Sequence, residues 1–213
     1  MKKTSIFIIG FVLLVITVID AHTFIKMDNS TNNELLSKAT FAGGCFWCTE
    51  TIFERLKGVT KVVSGYTGGS VKNPAYREIV TGRTGHAEAI QITYDADVIS
   101  YSELLDVFFS THNPTTLNRQ GYDVGTQYRS VIFYHDEEQK KEAEKIIKTL
   151  REANVYDAKI VTEVKSFTKF YVAEAYHQDY YENNSTQPYC ENVINPKLRK
   201  FLEKYKSKIK DKQ

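Results

Sequence analysis

Three cysteines and one carboxyl carry the most visible chemistry in this chain. Cys45 follows Gly43-Gly44, Cys48 lies three residues on, and Cys190 stands far away near the C-terminal end. The stretch Ala39 to Ala42 reads as a short strand, and after it Phe46, Thr49, Ile52, Phe53 and Leu56 recur at helical spacing. Gly58 fits the position just past a helix C-terminus. Cys45 is therefore expected at the N-terminal end of a helix, where unpaired N–H groups and the helix dipole favour an anion. A thiol there is expected to lose its proton more easily than the free group, whose pKa is about 8.5. Glu88 lies in the alternating segment His86 to Tyr94, which puts Glu88, Ile90, Ile92 and Tyr94 on one face and Ala87, Ala89, Gln91 and Thr93 on the other. A nucleophile and a proton-exchanging carboxyl are one reading of these residues. An inert buried thiol and a structural, salt-bridged carboxylate are the other.

The elements that must position them follow from patterning. Val59 to Val63 has strand propensity and ends at Gly65-Tyr66-Thr67-Gly68-Gly69, a loop whose glycines allow tight turns, with no phosphate-binding glycine pattern. Ser100 and Glu103 form a capping box ahead of Leu104, Leu105, Phe108 and Phe109, giving a helix from about Tyr101 to Ser110 that His112-Asn113-Pro114 stops. A polar loop, Thr115 to Gly125, leads to a strand over Tyr128 to Tyr134, and Asp136 caps a long charged helix with Ile146, Ile147 and Leu150 on its apolar side. Lys159 to Lys165 alternates as a strand, and Phe170 to Glu182 is expected to be a Tyr-rich helix. Regular patterning is lost from Asn183 to Asn195, which leaves Cys190 on irregular structure, free to approach another thiol. Lys197 to Gln213 is amphipathic, with Leu198, Phe201, Leu202, Tyr205 and Ile209 on its apolar side. Strands and helices mix without a strict β-α-β repeat, so the expected class is α+β, with a sheet and helices packed against it.

Composition narrows the function classes. The chain has 213 residues, 42% hydrophobic and 25% charged, with 14 Tyr and 12 Phe, which is globular. A formal net charge of +2 and the lack of a dense basic, aromatic-rich patch argue against a nucleic-acid partner. Met1-Lys2-Lys3, an apolar run from Ile6 to Ile19, and Asp20-Ala21-His22 describe a secretory signal over residues 1–22, or an uncleaved anchor. The run is short against the roughly 20 apolar residues of a spanning helix. A polar linker over residues 23–38 and one domain over residues 39–213 complete the organisation. An exported protein works where disulfides form, and three cysteines are an odd number there.

The stretch Gly44-Cys45-Phe46-Trp47-Cys48-Thr49-Glu50 closely resembles the signature of the peptide methionine sulfoxide reductase A family. Further blocks stand in the family's order: Gly65-Tyr66-Thr67-Gly68-Gly69 with Asn73-Pro74, Thr84-Gly85-His86-Ala87-Glu88-Ala89, Asn118-Arg119-Gln120-Gly121 through Asp123 to Gly125-Thr126-Gln127-Tyr128-Arg129-Ser130, Ala173-Glu174-Ala175-Tyr176-His177-Gln178, and Pro188-Tyr189-Cys190 with Pro196-Lys197. The similarity runs from about Ala39 to Tyr205. It implies a two-layer α+β sandwich of the ferredoxin-like kind and reduction of the S epimer of methionine sulfoxide, free or in proteins. By the resemblance Cys45 is the nucleophile, Glu88 the acid that protonates the sulfoxide oxygen, and Cys190 the resolving thiol. Tyr66, Asp123 and Tyr128 are then polar groups around that oxygen, and Phe46 and Trp47 the apolar pocket for the substrate methyl group. No metal or organic cofactor is implied, because thiols supply the electrons, and a thioredoxin-like dithiol partner must restore them. A monomer is expected, touching membrane only through an uncleaved N-terminal segment.

The chemistry suits these residue types. A sulfoxide offers an electrophilic sulfur and a basic oxygen, so its reduction needs a soft nucleophile and a proton source. Glu88 donates near neutral pH only if its apolar neighbours disfavour the charged form. Many family members have glycine where this chain has Cys48, whose role stays open. A thioredoxin-like oxidoreductase built on Cys45-Phe46-Trp47-Cys48 leaves Glu88, the tyrosines and Cys190 unexplained. A zinc site lacks a second cysteine pair. A non-catalytic binding domain would keep its function in Cys45→Ser.

Overall fold

Alternating apolar residues and capped helices build one continuous set of elements over residues 36–211, which this computed structural model describes. Strand β1 (Ser37–Gly43) leads into α1 (Phe46–Phe53), followed by β2 (Val59–Thr67), α2 (Tyr76–Ile79), β3 (Ala87–Tyr94) and α3 (Tyr101–Thr111). The short hairpin β4 (Arg119–Gln120) and β5 (Asp123–Val124) precedes β6 (Ser130–Tyr134), α4 (Glu137–Glu152), β7 (Glu163–Ser166) and β8 (Phe170–Val172). Two helices, α5 (Tyr180–Asn184) and α6 (Asn195–Lys204), end the order. The leader expected over residues 1–22 lies outside the described residues.

Six strands form a mixed sheet in the order β7-β6-β1-β3-β2-β8, antiparallel except between β6 and β7. Period-two alternation divides its two faces. Ala39, Phe41, Ile90, Ile92 and Ile132 turn towards Phe53, Leu104, Phe108, Ala143 and Ile147 of α1, α3 and α4, forming the main core. On the other face Ala42, Ala87, Ala89, Val131 and Phe133 are covered by Phe167 and Phe170. The result is the two-layer α+β arrangement expected from the sequence.

The capping residues read from the sequence act as caps. Ser100 Oγ accepts from Glu103 N–H at 3.2 Å and Glu103 Oε2 accepts from Ser100 N–H at 2.8 Å, while Asp136 accepts from Gln139 N–H at 2.8 Å. Where tertiary contacts compete with local pattern, the structure departs from expectation. Phe170 to Glu182 is not one helix: Phe170–Val172 pairs with β2 as an edge strand, and Gln178 locks the chain there by accepting from Ser64 N–H and donating to Ser64 O and Ala173 O. Strand β7 begins at Glu163 rather than Lys159, and β6 at Ser130 rather than Tyr128, because Thr126–Tyr128 forms a 3-10 turn. The segment expected to be irregular around Cys190 is helical: Cys190–Ile194 is a π turn running straight into α6. Burial of Ile194, Leu198 and Phe201 against the domain supplies the reason. The C-terminal helix itself stops at Lys204, after which Ile209 bridges to Leu56.

The Ser100 side chain bonds only with Glu103, so Ser100→Ala tests the cap alone. It is expected to lower unfolding free energy by about 1 kcal/mol in urea titrations while leaving catalytic turnover unchanged.

Candidate active site

Cys45 reaches its place because Gly44 turns the chain at φ +96° between β1 and α1, in the left-handed region that favours glycine. Cys45 then stands at the N-cap of α1, and Cys48 at its third helical position. Beside them, β3 carries Glu88 to the same end of the sheet. Phe46 N–H, one of the unpaired donors of the helix start, donates to Glu88 Oε2 at 3.2 Å. A third element arrives from the β4–β5 hairpin and the 3-10 turn after it, which bring Asp123 and Tyr128. Arg129 fixes that turn by donating to Thr126 O and Gly85 O and pairing with Glu163. Close approach of the two glycine loops matters here: a Cβ on Gly69 would lie 2.3 Å from His86 N.

These elements enclose a cavity of about 160 Å³ lined by Cys45, Phe46, Trp47, Tyr76, Glu88, Asp123, Tyr128 and Tyr189. Six of the residues singled out in the sequence thus meet around one small space. Cys48 and Cys190 pack beside it with Cys45 and Ile194, and Cys190 is fully buried. Trp47 is stacked on Tyr180 at 3.6 Å between ring centres, which fixes the apolar wall.

Tyr66 does not line the cavity. Its hydroxyl donates instead to Glu174 Oε2 at 2.8 Å, and its ring lies behind Phe46 at 5.9 Å. The place expected for its hydroxyl is taken by Tyr76, whose N–H donates to the same Glu174 carboxylate at 2.8 Å. Tyr189 is the second lining phenol that residue-by-residue reading missed. Both had a sequence signal, since Tyr76 follows Asn73-Pro74 and Tyr189 precedes Cys190 within the quoted blocks. His177 was also missed: it is 1% exposed, neither ring nitrogen has a partner, and Phe46, Trp47 and Tyr76 enclose it. Burial holds it below the ordinary histidine pKa, so it serves as a neutral aromatic wall.

Electrostatics assigns the protons. Glu88 is 2% exposed, and burial pushes its pKa up to about 8 against the opposing Phe46 N–H, with Asp123 adding to the rise. It is a carboxylic acid at neutral pH. Burial likewise raises the cavity phenols Tyr76, to about 12, and Tyr128, so both remain hydrogen-bond donors. The thiols reverse the expectation drawn from the helix start. Burial, and then a hydrogen bond with Cys48, push the Cys45 thiol well above its ordinary value, and the Cys45 side chain makes no cap hydrogen bond. Cys48 is held down to about 7, chiefly by its hydrogen bond with Cys45, with Lys197 helping and burial opposing. The pair therefore gives up its first proton near neutrality as a unit, through the hydrogen bond the two sulfurs share.

A thiol, a protonated carboxyl, three phenols and an apolar wall around one side-chain-sized space suit reduction of a polar S=O group. The comparisons with known proteins agree. The family model for peptide methionine sulfoxide reductase matches residues 37–210. The chain belongs to that family. A peptide methionine sulfoxide reductase of Saccharolobus solfataricus is 54% identical over 172 residues, covering 81% of this chain and 96% of that protein. Among solved structures, reduced Mxr1 of Saccharomyces cerevisiae matches at 36% identity with a TM-score of 0.67, covering 73% of this chain and 89% of that one. Methionine sulfoxide reductase A of Corynebacterium diphtheriae matches at 32% identity with a TM-score of 0.64, covering 71% and 76%. The peptide methionine sulfoxide reductase fold thus accounts for the described domain, whose enzyme class is oxidoreductase.

The protonated state of Glu88 has a thermodynamic signature. Its folded-state pKa lies above the unfolded value, so the fold binds the extra proton and loses stability as pH rises from about 4.5 to about 8. Glu88→Gln, which keeps an acceptor for Phe46 N–H, is expected to gain stability relative to the parent protein over that interval. Urea unfolding at pH 5 and pH 8.5 measures it, and parallel pH dependence of the two proteins would refute the shift.

Proposed function

We propose that this enzyme reduces the S epimer of methionine sulfoxide, free or in proteins, to methionine, and so repairs oxidised proteins. The observation that carries this reading is the joint placement of Cys45 and a protonated Glu88 on one cavity with Phe46 and Trp47 as its apolar wall. The sulfoxide oxygen sits against Glu88, Tyr128 and Tyr76, the methyl group against Phe46 and Trp47, and the rest of the substrate leaves through the mouth. Fixing three different substituents on one sulfur admits one epimer. Resemblance to the family assigns the S form.

Cys45 sulfur attacks the sulfoxide sulfur while Glu88 gives its proton to the oxygen, and the Cys45 proton passes to a neighbouring base. The S–O bond and the new S–S bond then break as the protonated oxygen moves to Cys45, and the proton that left Cys45 returns to Glu88, so thiol plus sulfoxide become sulfenic acid plus methionine. Phenols that do not ionise stabilise the charge that develops on oxygen. Cys190 thiol then condenses with the Cys45 sulfenic acid, releasing water and forming a disulfide. Membership of the Cys45–Cys48 cluster, and a π turn that departs from regular helix geometry, support Cys190 as the resolving thiol. Asp123 orients the phenols around the oxygen, and Tyr66 acts behind the cavity by anchoring Glu174. A thioredoxin-like dithiol protein returns the disulfide to two thiols, so the cycle needs no metal or organic cofactor. Residues 1–22 export the enzyme, cleaved or retained as an anchor, and it works as a monomer outside the cytoplasm; the basic start and apolar run support this.

With a small dithiol as reductant, the separated S epimer is expected to be consumed and the R epimer left. Consumption of R alone, or of neither, overturns the assignment. Cys45→Ser abolishes turnover, whereas Glu88→Gln lowers kcat by about 100-fold or more and removes the fall in activity as pH rises through about 8. A single turnover without reductant is expected to leave a Cys45–Cys190 disulfide. Peptide mapping that finds Cys45 joined to Cys48 with Cys190 intact would contradict the resolving role.

A further inference from the structure

The hydroxyl of Tyr189 touches both halves of the site. On one side it donates to Asp123 Oδ2 at 2.7 Å, and on the other it lies 3.9 Å from Cys48 Sγ. Its ring lines the cavity and meets Trp47 edge-on, with ring centres 5.7 Å apart. In sequence it immediately precedes Cys190 and the π turn. We propose that Tyr189 is a positioning residue whose hydroxyl sets the protonation of the Cys45–Cys48 pair and links it to the seating of the Cys190 turn. The proposal rests on the sulfoxide-reductase reading of the site and adds a residue to it.

A phenol has one proton to donate and two lone pairs to accept with. In the resting protein the short contact takes the proton to Asp123, which leaves the oxygen as acceptor for a thiol. Once the pair ionises, the thiolate needs a donor, and the same hydroxyl stands beside it. It contributes as a neutral dipole, because burial keeps its own pKa above the ordinary phenol value. The titratable groups facing the pair are Glu88 from β3, Asp123 from β5 and Lys197 from α6. The phenols Tyr76, Tyr128 and Tyr180 are all raised and stay protonated. Asp123 therefore competes with the thiolate for one hydroxyl. Because Tyr189 and Cys190 are adjacent on one helix, drawing Cys190 towards an oxidised Cys45 pulls the hydroxyl from Cys48 and Asp123 together. Resolution and release of the oxygen-binding groups become one motion.

Alkylation by iodoacetamide across pH, with peptide mapping of Cys45 and Cys48, reads the pair directly. Full-length protein carrying Cys190→Ser serves as the background, so that only the two thiols report. Adding Tyr189→Phe, which keeps the ring, is expected to move the alkylation midpoint up by about one pH unit, the loss of one hydrogen bond to the charged form. Glu88 is present in both proteins and its titration cancels. With Cys190 restored, Tyr189→Phe is expected to lower kcat while KM changes less than about twofold, as for an interaction that does not bind substrate. A midpoint that coincides with the background overturns the proposal. So does a shift produced by Tyr189→Ala but not by Tyr189→Phe, which would place the effect in ring packing. The alkylation readout requires no sulfoxide turnover, so its failure is distinct from failure of the proposed reaction.

Discussion

A carboxyl that keeps its proton at neutral pH must be held away from water, and the meeting of Glu88 with the start of α1 does this. The contact joins strand β3 to the helix that carries Cys45, through a single N–H donated by Phe46 to Glu88 Oε2. It settles two distances together, since the carboxyl cannot approach the helix start without approaching Cys45 beside it. The contact also works against its own purpose, because an N–H at a helix N-terminus favours the carboxylate. Burial outweighs it, and the pKa lies near 8. The surrounding structure can be understood as what excludes water: Phe46 and Trp47 on one wall, three tyrosines on the others, and His177 behind them without a hydrogen-bond partner.

The same dryness divides the labour of the thiols. In isolation, the N-cap position would have made Cys45 the readily ionised one. Burial removes that advantage and raises Cys45, while the hydrogen bond with Cys45, helped by Lys197, lowers Cys48 one helical turn along. A Cys45 thiol that keeps its proton at rest is protected from casual oxidation, because it is the thiolate that oxidants attack. It also has a base at hand when substrate arrives. Cys48 is thus tied to Cys45 before any disulfide forms.

Much of this was legible in the residues. Ser100 with Glu103, Asp136 ahead of its helix, and the alternation around Glu88 are local signals that tertiary structure left in place, and they located the acid on an apolar face. The glycine pair before Cys45 located that thiol at a helix start. What the sequence withheld depended on partners distant along the chain. Nothing near Tyr66 says that its hydroxyl belongs to Glu174, 108 residues away, and so nothing says that Tyr76 takes the cavity position. The segment around Phe170 has helical composition yet forms an edge strand, because β2 offers a free row of backbone groups to pair with. Cys190 looked unstructured because a π turn leaves no 3.6-residue pattern to read. The direction of the Cys45 shift was missed for a related reason: a helix terminus is visible in sequence, whereas burial of its N-cap residue is not.

The central claim is that Glu88 holds its proton through the neutral range, and infrared difference spectroscopy of the parent protein against Glu88→Gln observes that proton directly. The account predicts a protonated carboxyl C=O band at pH 7 that is absent from the variant and disappears on titration with a midpoint near 8. A carboxylate signal for Glu88 at pH 7, with its midpoint near the ordinary value of about 4.3, would contradict it.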